Sequence, residues 1–270
     1  MAIRHALPMA ALLAGSLLLS ACESTTASGA VGANRKQLLL VSTQEVNAAS
    51  AQSYRQQLVK ARQAGVLNRD ARQARRVNAV AQRLIAEVGV FRPEARGWQW
   101  EVNVFASPEL NAYCMPGGKI GVYSGLIDRL SLTDAELAAV ISHEIAHALR
   151  EHSREQVSQE FAKQQGIALA GAVLGLDAGT QDLVQLVGQY SLSLPFSRRM
   201  EKEADLMGLE LMARAGYDPN AALSIWRKME AAGGSGGPEW MSTHPSGTSR
   251  IAEMQQMLPQ VMPYYRAARP

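Results

Sequence analysis

Two histidines and an acid stand where a helix can use them. His143-Glu144-Ile145-Ala146-His147 places the imidazoles four residues apart, on one helix face a turn from each other. Imidazoles so placed can take two corners of a zinc tetrahedron. Glu144, next to the first of them, can reach a water at such a site and take its proton. The competing reading, two surface histidines with a neighbouring acid, explains less of the surrounding pattern.

A zinc hydrolase needs a third protein ligand and an open position. His152 is one candidate. On a continuing helix it points roughly 140° away from His147, so it is expected to be structural or at the surface. Met200-Glu201-Lys202-Glu203-Ala204-Asp205 is the better source. Glu201 and Asp205 share a face, so one carboxylate can bind metal while the other accepts an imidazole N–H and fixes its tautomer. Glu203 lies off that face and is expected to be solvated or salt-bridged. Cys114 reads as a small buried hydrophobe.

This order of motifs resembles the zinc metallopeptidases that include the CAAX prenyl protease and HtpX, and most of all their soluble periplasmic lipoprotein branch of beta-barrel-assembly-enhancing proteases. Asn111 to Ile120, Ser124-Gly125-Leu126-Ile127, and Thr243-His244-Pro245 with Arg250-Ile251 carry it further. The resemblance implies one zinc ion per chain, held by His143, His147 and Glu201, with Asp205 behind them. It implies His244 and Arg250 as catalytic residues beside Glu144, His244 either backing the oxyanion or holding the enzyme latent. It also implies Asn111, Gly117, Gly118, Lys119 and Ile120 as substrate-binding residues. The expected function is a zinc metalloendopeptidase in envelope protein quality control. Its substrates are extended protein or peptide chains, added along an edge strand near Lys119 to Tyr123. The alternatives are a latent or chaperone-like protein that binds misassembled envelope proteins and rarely cleaves, and a hydrolase of cell-wall peptides.

The elements that must position these residues follow from periodicity. Ser131 to Glu151 reads as an amphipathic helix, with Thr133 and Glu136 as a capping box. Arg199 to Ala213 reads as a second helix. Residues 34–97 read as two or three helices packing on a catalytic domain at 98–270. Trp98 to Val104 alternates as a strand, Lys119 to Tyr123 is another, and Pro116-Gly117-Gly118 is a turn. Gln156 to Tyr190 suits a lid or packed hairpin, Asp218-Pro219 opens a helix, Gly233 to Gly237 is a loop, and Ser249 to Met257 is a last short helix. The expected fold class is α+β and mainly α-helical. The resemblance makes it a zincin-like domain whose small sheet lays an edge strand along the active-site helix.

Composition and leader set the remaining expectations. The 270 residues are 47% hydrophobic and 19% charged, with a net charge of +3, a globular balance. No basic cluster is interleaved with aromatics, which argues against a nucleic-acid partner. Arg4, the apolar run Ala6 to Leu19 and Leu19-Ser20-Ala21-Cys22 resemble a lipoprotein signal. Residues 1–21 are then a signal peptide, Cys22 is lipidated, and 22–33 form a flexible tether. The expected location is the periplasm, at the outer membrane. Cys22 and Cys114 are the two cysteines, so lipidation of one would leave no disulfide.

Overall fold

A computed structural model describes residues 22–170, 180–232, 239–245 and 248–268. The signal-peptide reading of 1–21 and the loop reading of Gly233 to Gly237 lie outside them. Strands β1 (Cys22–Glu23) and β2 (Gln37–Leu38) form a short antiparallel pair. Helices α1 (Thr43–Gln63) and α2 (Ala71–Ile85) follow. Then come β3 (Glu101–Phe105), β4 (Ala112–Met115), β5 (Lys119–Tyr123) and α3 (Ser124–Arg129). The remaining helices are α4 (Asp134–Leu149), α5 (His152–Ala170), α6 (Thr180–Leu192), α7 (Arg198–Arg214), α8 (Asn220–Ala232), α9 (Glu239–Thr243) and α10 (Thr248–Ala268).

Helix α4 is capped at Thr133, whose hydroxyl accepts from Glu136 N while the Glu136 carboxylate accepts from Thr133 N at 2.9 Å. Every residue from Glu136 to Leu149 is buried, so α4 is a core helix, covered well beyond the apolar stripe that the sequence shows. It packs most extensively on α7. Gly208 of α7 permits the close approach: a Cβ there would stand 3.1 Å from His143 N. That proximity sets how near α7 can bring its carboxylates to α4.

The second sheet has order β3-β5-β4, with β3 parallel and β4 antiparallel to β5. The strand expected at the edge, Lys119 to Tyr123, is therefore central. The edge beside α4 is β4, a four-residue stretch whose side chains are all buried and which shows no polar alternation to announce it. A turn with Gly117 and Gly118 at φ 76° and 83° joins β4 to β5, a conformation open to glycine without strain.

Three further expectations change. Residues 24–33 are not a flexible tether: Thr26, Val31 and Ala33 are buried, Ala27 N donates to Phe91 O at 2.8 Å, and Ala30 N donates to Glu210 at 2.8 Å. The last helix continues to Ala268 through Pro259 and Pro263. Burial of Val261 and Tyr265 offsets the backbone hydrogen bonds those prolines remove. Gln156 to Tyr190 divides into α5 and α6, which pack on each other, and α6 packs on α1. No described helix is long and apolar enough to cross a membrane.

Candidate metal centre

Four buried side chains from three parts of the chain converge. One donor atom each from His143, His147, Glu201 and His244 lies within 4.8 Å of all the others. His143 Nε2 is 3.1 Å from His147 Nε2 and 3.2 Å from His244 Nδ1. Glu201 Oε2 is 3.5 Å from His143 Nε2, and Oε1 is 3.4 Å from His147 Nε2 and 3.0 Å from His244 Nδ1. A tetrahedron with metal–ligand distances of about 2.0–2.1 Å has edges of about 3.3–3.4 Å, so these spacings fit one small divalent ion. Glu201 Oε2 is buried without a hydrogen bond. Arg250 Nη1 stands 2.7 Å from it as an ion pair, without hydrogen-bonding alignment. A converged set of three imidazole nitrogens and a buried carboxylate suits zinc.

Local sequence explains each placement. His143 and His147 share a face of α4. Ser197 caps α7, its hydroxyl accepting from Met200 N at 3.3 Å, and Glu201 and Asp205 stand one turn apart on that helix. Asp205 Oδ1 lies 3.0 Å from His143 Nδ1. Arg250 grips Asp205 from behind, donating through Nε at 2.6 Å and Nη2 at 2.7 Å. This bidentate geometry fixes the carboxylate plane.

His152 is buried, with Nδ1 2.9 Å from His147 Nδ1 and Nε2 3.0 Å from Glu203 Oε2. The expectation that it points away presumed one continuous helix. Instead α4 ends at Leu149, Glu151 takes a left-handed φ of 52°, and α5 starts anew at His152. The break returns His152 to the site. Nothing in the local periodicity announces it; the crowding of five polar residues at 150–154 was the available signal.

The charges follow from these partners. Burial opposes a positive His143, but Asp205 and Glu201 prevail and raise its pKa to about 9. Burial holds His147 well below the ordinary histidine range. Burial opposes ionisation of Glu201 and Asp205 too. His244, with His143 and His147, keeps Glu201 well below the usual carboxylate range, and Arg250 with His143 keeps Asp205 low. Cys114 is buried and its thiol is pushed well up by burial and by Glu144.

Glu144 is turned toward the α9 segment. Its Oε1 accepts from Trp240 Nε1 at 2.8 Å and lies 3.4 Å from His244 Nε2. Trp240 stacks on His244, with ring centroids 4.7 Å apart, and Trp240 N donates to Leu110 O at 3.1 Å, just ahead of β4. Sequence reasoning did not single out Trp240; its four-residue spacing from His244 was the signal. The five expected substrate-binding residues have other partners. Asn111 Oδ1 accepts from Ala112 N at 2.9 Å. Gly117 faces Asn47 and Gly118 faces Trp100. Lys119 bonds Gln99 O and Glu101. The Ile120 side chain is core and its carbonyl accepts from Tyr54 at 2.8 Å.

A helical body with a small sheet and a buried His-His-Glu donor set defines the zincin-like metallopeptidase class. Residues 71–258 match the model of peptidase family M48, and the chain belongs to that family. M48 peptidases use zinc. The match begins at 71, ahead of residue 98, where the catalytic domain was expected to start. The chain is 39% identical over 186 residues to the mitochondrial metalloendopeptidase OMA1 of Schizosaccharomyces pombe, covering 68% of this chain and 52% of the relative. To its Bos taurus counterpart it is 31% identical over 242 residues, covering 84% and 45%. To the beta-barrel assembly-enhancing protease of Escherichia coli it is 27% identical over 196 residues, covering 69% and 39%. The chain thus spans about half or less of the length of these relatives. The expected location at the outer membrane is overturned by these matches, because the relatives at 31–42% identity are mitochondrial and the beta-barrel assembly-enhancing proteases follow at 26–27%.

Proposed function

We propose that the chain is a zinc metalloendopeptidase that hydrolyses peptide bonds in extended protein segments. The observation that carries this reading is the convergence of His143, His147 and Glu201 with Glu144 beside them. When bound, zinc supplies a Lewis acid that polarises the scissile carbonyl and makes water a better nucleophile. Glu144 takes the proton of the attacking water and passes it to the leaving amine. Asp205 holds His143 by its Nδ1–H, so that Nε2 keeps its lone pair for the ion. Arg250 fixes Asp205 and offsets the charge of Glu201, acting through them rather than on substrate.

The substrate backbone adds along the edge of β4. Tyr123 N donates to Asn111 O at 3.0 Å. By antiparallel alternation, Ala112 and Cys114 turn their backbone groups away from β5, toward an incoming strand. Main-chain pairing of this kind binds with little sequence demand. It suits proteins that expose extended backbone, such as unfolded or misassembled chains.

One observation favours a latent form of the same enzyme. His244 stands as the fourth donor, and Trp240 and His244 engage the Glu144 carboxylate that must be free to act as base. Release of the α9 segment would then precede cleavage. Casein hydrolysis by wild type, Glu144→Gln and His244→Ala, each with zinc content measured, tests both readings. Zinc retained with cleavage lost in Glu144→Gln supports the peptidase, whereas undiminished cleavage by that variant sinks the assigned base. Faster cleavage by His244→Ala supports latency, and loss of cleavage makes His244 part of the catalytic machinery. Zinc-loaded protein that binds unfolded chains but cleaves in neither wild type nor His244→Ala would mark a binding protein.

A further inference from the structure

Opposite the face it turns to the donor cluster, His147 opens onto a chain of polar contacts that leaves the family-matched region. His147 Nδ1 lies 2.9 Å from His152 Nδ1, and His152 Nε2 lies 3.0 Å from Glu203 Oε2. Arg35 Nε donates to Glu203 Oε1 at 2.6 Å, and its Nη1 and Nη2 hold both oxygens of Glu155 at 2.7 and 2.8 Å. Arg150, wholly buried, lies 3.3 Å from Glu203 through Nη2 and donates to Arg35 O at 3.0 Å and Thr26 Oγ1 at 3.0 Å. Gln37 Nε2 donates to Arg150 O at 2.6 Å and to Glu155 at 2.8 Å. Arg35, Gln37 and Thr26 all precede residue 71, where the family match begins.

Proton positions follow from this order of partners. Glu203, facing two guanidinium groups, is an acceptor, so His152 Nε2 carries the proton between them. A neutral His152 then offers Nδ1 as an acceptor, and His147 must donate its Nδ1–H. That tautomer leaves the His147 Nε2 lone pair directed at Glu201 and His143, as a metal ligand requires.

We infer that His152 is a positioning residue that holds His147 in its metal-binding tautomer, and that residues 24–38 form a strap anchoring this relay through the contacts of Arg35 with Glu203. The inference rests on the zinc reading above and adds to it a dependence on a segment outside the family-matched region. Burying the strap against α5 and α7 thereby tightens the second histidine ligand. A structural strap alone would stabilise the fold and leave the ligand's tautomer indifferent.

The test measures the zinc dissociation constant of the full chain by competition with a chromogenic chelator, alongside kcat and KM on a casein-derived peptide. The variants are His152→Leu, His152→Asn, Arg35→Met and the double variant His152→Leu/Arg35→Met. His152→Leu removes the acceptor and is expected to weaken zinc binding by about 10–100-fold, with kcat falling and KM unchanged. His152→Asn keeps an acceptor oxygen near the Nδ1 position and should restore most of the affinity. Arg35→Met should weaken zinc in the same direction by less, and the double variant should be no weaker than His152→Leu, since both act through one chain of contacts. A folded His152→Leu protein with wild-type zinc affinity would overturn the relay. If His152→Leu does not fold, the partly exposed Arg35 decides: unchanged zinc affinity in Arg35→Met overturns the strap. Wild-type protein that takes up no zinc would instead remove the metal reading itself, a result these variants do not mimic.

Discussion

The two histidines of α4 that could hold the metal are braced in opposite ways. Behind His143 stands Asp205, from the helix that also carries Glu201, and Arg250 clamps it from α10. All of these lie inside the family-matched residues. Behind His147 stands another histidine, then Glu203, then an N-terminal strap. The first brace is a compact ion pair nearly sealed from water, with side chains 3% and 7% exposed. The second spreads charge over four side chains, Glu203, Arg35, Glu155 and Arg150, with Arg35 at 21% exposure. Removing one partner of a fully buried pair leaves a stranded charge, whereas a network with an exposed member can relax into water. The difference sets a stiff support behind one histidine of the candidate site and a yielding one behind the other.

The sharpest break falls where the two sides meet. Glu201→Gln should abolish stoichiometric zinc binding and all hydrolysis, checked by metal analysis and casein cleavage. Retained zinc at one ion per chain would assign the third ligand elsewhere. Asp205→Leu removes the bidentate partner of the buried Arg250 guanidinium and should cost about 3–5 kcal/mol of stability by chemical denaturation, a loss that the His147 side should not match. Arg35→Met, on the yielding side, should cost about 1 kcal/mol or less. A cost equal to that of Asp205→Leu would erase the contrast.

Acid should weaken the network behind His147. Burial pushes the Glu155 carboxyl upward, but hydrogen bonds from Arg35 and Gln37 prevail and hold it below the ordinary value of 4.5. A carboxyl lowered in the folded state contributes stability above 4.5, and that contribution is lost as pH falls through the folded value. The stability gap between wild type and Glu155→Gln should therefore shrink as pH falls below 4.5, measured by urea denaturation across that window. A gap that widened in acid would reverse the sign and remove Glu155 from the network. The smallest effect should be Thr133→Ala. It deletes the α4 cap at about 1 kcal/mol, while zinc per chain stays at the wild-type value.

Most of the metal site was legible because its information is local. His143, Glu144 and His147 announce themselves by helical spacing, Glu201 and Asp205 by the same spacing on a second helix, and Thr133 and Glu136 by the capping box. Elements with long periodic patterns, such as α4 and α7, were readable within a few residues at each end. Strand β4 was not, because Ala112 to Met115 is short and buried throughout. The first part of the strap, residues 22–33, was read as a tether because its small polar residues carry no periodicity, yet Thr26 is buried and accepts from Arg150, far along the chain.

Residue type and spacing by themselves determined which groups could do the chemistry: two imidazoles and an acid on one helix, two carboxylates on another. Only the tertiary structure decided which strand is the edge, that the helix breaks at Glu151 and returns His152 to the site, and that Trp240 and His244 close on Glu144. Helical spacing is set by backbone hydrogen bonds a few residues apart, so a short stretch of sequence encodes it. Strand order, a left-handed break and a distant strap depend on which surfaces bury one another, and that is settled by the whole chain at once.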